Sequence, residues 1–165
     1  MLDLRDSTMI IDINAMLHRV VDEVFNESFT VVEVSSKDDS WLHGVHVKSR
    51  TDKDRTATIR ASYEWMDAFI PELNVQTTLF DYDDVELEKE AELRRLCLVM
   101  RAYLQGEGSV KRRKRLFRRG TVAVLRIEVD GLEWCLGRNH FVVPYPDGSS
   151  TGGFGSSPHH PSNAS

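Results

Sequence analysis

The sequence predicts an α+β fold on a mainly antiparallel sheet, and three observations predict it. Three Val- and Thr-rich runs follow one another, separated by polar turn material. A long stretch beginning near Asp83 places acids first, arginines later and apolar residues at helical spacing between them. A strand-period segment from Thr121 is turned back by Asp130-Gly131, a strong hairpin signal. Consecutive strands favour α+β over a doubly wound α/β arrangement. The expected architecture is a three-strand meander plus a C-terminal hairpin, packed by an N-terminal helix and a long central helix.

Asp6 or Ser7 caps a first helix that runs to about Asn26. Ile10, Ile13, Leu17, Val20, Val21 and Val24 form its apolar stripe, while Asp12, Asn14, Arg19, Asp22 and Glu23 take the wet side. The meander occupies residues 29–36, 41–48 and 55–61, with residues 37–40 and 49–54 as turns. Residues 63–70 read as a short helix stopped by Pro71, and residues 75–80 as a fourth strand. The long helix starts at Asp83 or Asp84, with Asp83 and Glu86 spaced as a capping box. Leu93, Leu96, Cys97, Met100 and Leu104 supply its buried stripe, Glu90 and Arg94 pair across one turn, and Gly106 ends it.

In the hairpin, Ala123, Leu125, Ile127 and Val129 face the core with Leu132, Trp134 and Leu136, leaving Arg126 and Glu128 on the other side. A short apolar piece, residues 140–143, runs to Pro144. Residues 1–146 are expected to form one globular domain and the Ser/Gly/Pro-rich residues 147–165 a flexible tail. Trp41, Trp65, Trp134, Tyr63, Phe69 and Phe80 are expected in the core, with one or two of them surfacing in a binding patch. The order helix, three strands, helix resembles in topology that of small bacterial secretion chaperones and related regulators.

Charge is sharply segregated. Residues 1–92 hold 9 Lys and Arg against 21 Asp and Glu, and residues 93–165 hold 12 against 5, which gives nets of −12 and +7 in a chain of net charge −5. Residues 81–92 contain seven acids and one lysine, whereas seven of the nine residues 111–119 are Lys or Arg. As a strand, the basic run puts cations on both faces, so it must be an exposed loop, an edge strand or an arm beyond the sheet. Either residues 81–92 neutralise it internally, or water simply solvates it, or it awaits a partner.

The remaining chemistry is sparse. No apolar run approaches the roughly 20 residues that span a bilayer, and the N-terminus lacks a cleavable leader pattern. Cys97 and Cys135 each sit in an apolar pattern and are expected to be reduced. No zinc, zinc-protease, calcium, nucleophile-elbow or phosphate-loop motif is present, and His43 and His46 lie on opposite faces of a strand, so no metal, cofactor or catalytic residue is assigned. The expectation is a cytoplasmic, non-enzymatic protein-binding module, immunity-, chaperone- or adaptor-like. It engages an acidic protein surface through Lys111, Arg112, Arg113, Lys114, Arg115, Phe117, Arg118 and Arg119. The alternative is a nucleic-acid-associated regulator that grips phosphates with the same run.

Overall fold

Eleven elements build the computed structural model, which describes residues 10–35, 42–80, 85–115, 120–138 and 140–141; the side chains of Ser35, His140 and Phe141 are not described. They are α1 (Ile13–Val24), β1 (Phe29–Ser35), β2 (His43–Ser49), β3 (Thr56–Ala61), β4 (Trp65–Ile70), β5 (Val75–Phe80), α2 (Glu86–Leu104), β6 (Ser109–Lys114), β7 (Thr121–Val129), β8 (Leu132–Leu136) and β9 (His140–Phe141). β1 to β5 form an antiparallel meander in chain order, with the short β9 added parallel to β5. β6, β7 and β8 make a second antiparallel sheet. The fold is α+β, as the sequence predicts.

α1 is shorter than expected. It begins at Ile13, because Asp12 rather than Asp6 or Ser7 supplies the cap: its carboxylate accepts a 3.0 Å hydrogen bond from the Ala15 amide. Asp6 and Ser7 lie outside the described residues, and Ile10, placed on the apolar stripe by its spacing, precedes the helix and is exposed. Ile13, Met16, Leu17, Val20, Val21 and Val24 form the buried face.

The expected helix over residues 63–70 is instead β4. Its six residues present Met66, Ala68 and Ile70 to the helix-covered face and Trp65, Asp67 and Phe69 to the other, a period of two inside a run too apolar to show it. Ser62 makes the corner: its hydroxyl donates to the Trp65 carbonyl at 3.0 Å and accepts from the Trp65 amide at 3.2 Å. Five strands therefore separate the helices, not three, and the topological resemblance to secretion chaperones does not extend to the strand count. Because β4 turns alternate side chains outward, Trp65 and Phe69 are half-buried; Phe80 at the end of β5 and Tyr63 at the corner are exposed, against the expectation of core positions. Trp134 is fully buried; Trp41 lies outside the described residues.

β4 also brings Asp67 opposite Arg60. The Arg60 guanidinium grips the buried carboxylate with both arms, Nε donating to Oδ1 at 2.8 Å, and Gln76 Nε2 donates to Oδ2 at 3.1 Å. Hydrogen bonding to Asp67 holds the Arg60 pKa above its ordinary value, while the guanidinium also lies over the Trp65 ring.

α2 starts at Glu86 with Val85 at the cap and no side-chain cap bond, so the expected start at Asp83 or Asp84 is not seen; both of those residues lie outside the described ones. Leu93, Leu96, Cys97, Met100 and Leu104 are buried as their spacing predicts, joined by Val99, Ala102 and Tyr103. That width exists because α2 packs on α1, on β3 and β4, and on β7. At the hairpin, Asp130 and Gly131 have φ of 52° and 76°, the two positive values that the expected tight turn requires.

Ion pairs join the two helices along their exposed rim. Glu90 accepts from Arg19 and, at 3.0 Å, from Arg94; Arg94 also reaches Glu23, and Arg19 reaches Glu86 at 3.5 Å. Hydrogen bonds from Arg19 and then Arg94 hold the Glu90 pKa below its ordinary 4.5. A carboxyl group with a depressed folded pKa stabilises the fold above its ordinary value, and that contribution disappears as the pH falls through the folded value.

Two outcomes follow. Trp134→Ala is expected to cost about 3–5 kcal/mol in urea unfolding, whereas Leu87→Ala, at a position 80% exposed, stays within about 0.5 kcal/mol of the parent. Glu90→Gln is expected to lower the melting temperature at pH 7 and to flatten its decline below about pH 4.5. Parallel decline in both proteins would assign the acid sensitivity elsewhere.

Candidate functional site

The basic run is placed by the way α2 ends. Gly106, at φ 94°, donates to the Tyr103 carbonyl at 3.0 Å and Glu107 donates to Ala102 at 3.0 Å, the paired bonds of a glycine-terminated helix. Gly108 follows at φ 90°, and a Cβ there would lie 2.9 Å from the Arg126 carbonyl oxygen and 3.1 Å from Leu125 Cδ1. A glycine is needed at this joint because the chain must both take a left-handed turn and lie flush on β7.

β6 then runs as the edge of the second sheet. Ser109 pairs with Arg126, Val110 with Leu125, Lys111 with Val124, Arg112 with Ala123, Arg113 with Val122 and Lys114 with Thr121. Opposite residues share a face, so Lys111 and Arg113 lie on the outer face beside Val124 and Val122, while Arg112 lies on the face that carries Ala123 and Leu125. All six β6 residues are nevertheless exposed. The run is therefore an edge strand, one of the three placements its two-sided charge allows. Arg115 follows it, half-buried, its amide donating to the Gly120 carbonyl at 3.1 Å. Phe117, Arg118 and Arg119 lie outside the described residues.

Internal neutralisation by residues 81–92 is not what the described acids do. Glu86 and Glu90 pair with Arg19, Glu90 also with Arg94, and Glu92 with Arg95 at 2.9 Å. α2 itself imposes the separation: its 19 residues rise about 28 Å between the acid-rich start and β6. Among the described residues, Lys111 to Arg115 form no ion pair. On the neighbouring strand β7, Arg126 pairs with Glu133 at 3.2 Å.

At the base of the edge lies a cleft of about 150 Å³ between the two sheets, lined by Arg115, Gly120, Thr121, Asn74 and Arg138 among others. Arg138 is held there by its neighbour Gly137, whose carbonyl accepts from the Gln76 amide at 3.1 Å. Asn74 ends the 3-10 turn Pro71–Leu73 in a left-handed conformation, φ 51°. Sequence reasoning gave Arg138 no part in this site. It is 23 positions from Arg115, and Gly137-Arg138-Asn139 signals only a break in a strand.

Elsewhere, a wider depression of about 800 Å³ lies between the start of α1 and the β3–β4 corner, bordered by Ile10, Asp12, His43, Tyr63 and Trp65. Its one carboxylate at α1, Asp12, is already engaged in capping. Cys97 and Cys135 are free thiols; burial pushes Cys97 up to about 12, which leaves it protonated and unreactive at neutral pH, and Cys135 is half-buried on the outer face of β8. Among the described residues no group of three His, Cys, Asp or Glu side chains converges as a metal site, and no helix is long and apolar enough to cross a membrane.

Comparison with protein-family models, with curated proteins and with solved structures finds no match.

Because the described cations of β6 hold nothing in the fold together, the double variant Lys111→Ala/Arg113→Ala is expected to unfold in urea within about 0.5 kcal/mol of the parent. A loss of 2 kcal/mol or more (roughly, on the scale of buried polar networks) would mean the run is spent on the molecule's own fold.

Proposed function

We propose that this chain is a non-enzymatic, cytoplasmic protein-binding module that captures an acidic segment of another protein along β6. The observation that carries the reading is the mismatch in the charges. Three of the four described acids of α2, Glu86, Glu90 and Glu92, are answered by Arg19, Arg94 and Arg95, while five consecutive cations at a sheet edge are answered by nothing described. An immunity-, chaperone- or adaptor-like role is the kind of work this arrangement suits.

The edge geometry favours a peptide. β6 pairs only with β7 among the described residues, so its other side presents backbone donors and acceptors to which an extended chain can add as a further strand. Cations on an edge repel a second copy of the same edge, which guards against self-pairing, yet they attract an incoming strand rich in Asp and Glu. Alternation gives such a strand two sets of neighbours, Lys111 and Arg113 on one face and Arg112 and Lys114 on the other.

The second reading, a nucleic-acid-associated regulator, is favoured by the cations standing out on both faces of the strand. Five phosphate contacts would make log affinity fall against log salt with a slope of about −3.5 for a single strand.

The test compares a labelled peptide of alternating Glu and Val with a labelled oligonucleotide. Each is titrated into the parent and into Lys111→Glu/Arg113→Glu at two salt concentrations. The peptide is expected to bind the parent, to protect the β6 amides from hydrogen exchange and to lose affinity at least about tenfold in the variant, the worth of one charged hydrogen bond. Oligonucleotide binding with the steep salt slope, and no peptide binding, would transfer the function to the second reading.

A further inference from the structure

We propose that the cleft between Arg115 and Arg138 is an oxyanion site, seating one carboxylate or phosphoryl group of the segment that docks on β6. The inference rests on the proposed binding edge for its biological ligand, but its chemistry stands on the cleft alone.

Arg115 and Arg138 both border a space of about 150 Å³, and none of the described residues that line it is acidic. One water needs only about 10–15 Å³ of such space, so there is room for a small anion with part of its hydration shell. Neither arginine forms an ion pair among the described residues, so neither charge is already answered by a carboxylate there. Arg115 is half-buried, so its charge is only partly relieved by water. Two like charges bordering one space repel, and an anion held between them would turn that repulsion into two attractions. Guanidinium forks suit the task, since their parallel N–H groups match the paired oxygens of a carboxylate or phosphoryl group.

The backbone fixes both arginines. The Arg115 amide is tied to Gly120 across the base of the β6–β7 hairpin, and Arg138 follows the Gly137 carbonyl that is bonded to β5. Thr121 and Asn74, both polar, are among the residues that border the cleft. Because Arg115 directly continues β6, a strand lying along Lys111 to Lys114 would bring its own end to the cleft mouth. The site thereby sets where along the edge an acidic segment stops.

The experiment follows backbone amide spectra of the whole chain titrated with sodium phosphate and, separately, sodium acetate, against sodium chloride at matched ionic strength. Saturable shifts centred on Asn74, Gly120, Thr121 and Arg138, weakened at least about tenfold by Arg138→Ala and partly restored by Arg138→Lys, support the site. Phosphate response identifies a phosphorylated side chain as the natural occupant, and acetate response an Asp or Glu. Shifts confined to residues 111–114, or unchanged in Arg138→Ala, overturn it. Acidic-peptide binding that fails in Lys111→Glu/Arg113→Glu but is normal in Arg138→Ala removes the cleft and leaves the edge reading standing. Anion binding at the cleft without peptide binding keeps the cleft and removes the edge.

Discussion

The second half of α2 is apolar around most of its circumference, and covering it is the constraint on which the rest of the structure depends. Leu93, Leu96, Cys97, Val99, Met100, Ala102, Tyr103 and Leu104 are all buried, more than one partner surface can shield. α1 covers one side, the meander another, and β7 closes the remainder with Ala123, Leu125 and Ile127. Two separate sheets are thus joined into one hydrophobic core through a single helix. The second sheet is small and could not bury its face alone; it is stable because α2 presents an apolar side to it.

That arrangement also sorts the charges. The start of α2 lies beside α1, where Arg19 and Glu23 complete a chain of alternating charges with Glu86, Glu90 and Arg94. Exposed pairs of this sort are worth little one by one. Their significance is that they engage Glu86 and Glu90 near the helix start, about 28 Å of helix rise from the basic strand. Segregation visible in the sequence thus survives folding, at least for the described residues, and the excess positive charge arrives at a sheet edge.

Much of the fold was legible in the sequence because the signals were local. The Asp130-Gly131 turn, the Gly106 stop and the Leu93-to-Leu104 stripe each depend on a few neighbouring residues. The failures come where tertiary context decides. Residues 65–70, WMDAFI, are apolar enough to suit either a helix or a strand, and only the pairing of Asp67 with Arg60 and Gln76 makes the strand intelligible. Trp65 and Phe69 were misplaced for the same reason, since a strand exposes every second side chain where a helix had been expected to hide them. For the site, composition alone exposed Lys111 to Arg115. That Arg138 borders the same cleft as Arg115 required knowing that β5 and the end of the β7–β8 hairpin meet at Gln76 and Gly137.

The joint Gly106-Glu107-Gly108 leaves no slack between the core helix and the basic strand. Helix, turn and strand follow within four residues, and Gly108 is wedged against the β7 backbone. A pull on β6 is therefore not absorbed by a compliant loop. It is transmitted to the last turn of α2, where Tyr103 and Leu104 are anchored among the interior side chains, so the edge behaves as a stiff lever mounted on the heart of the molecule.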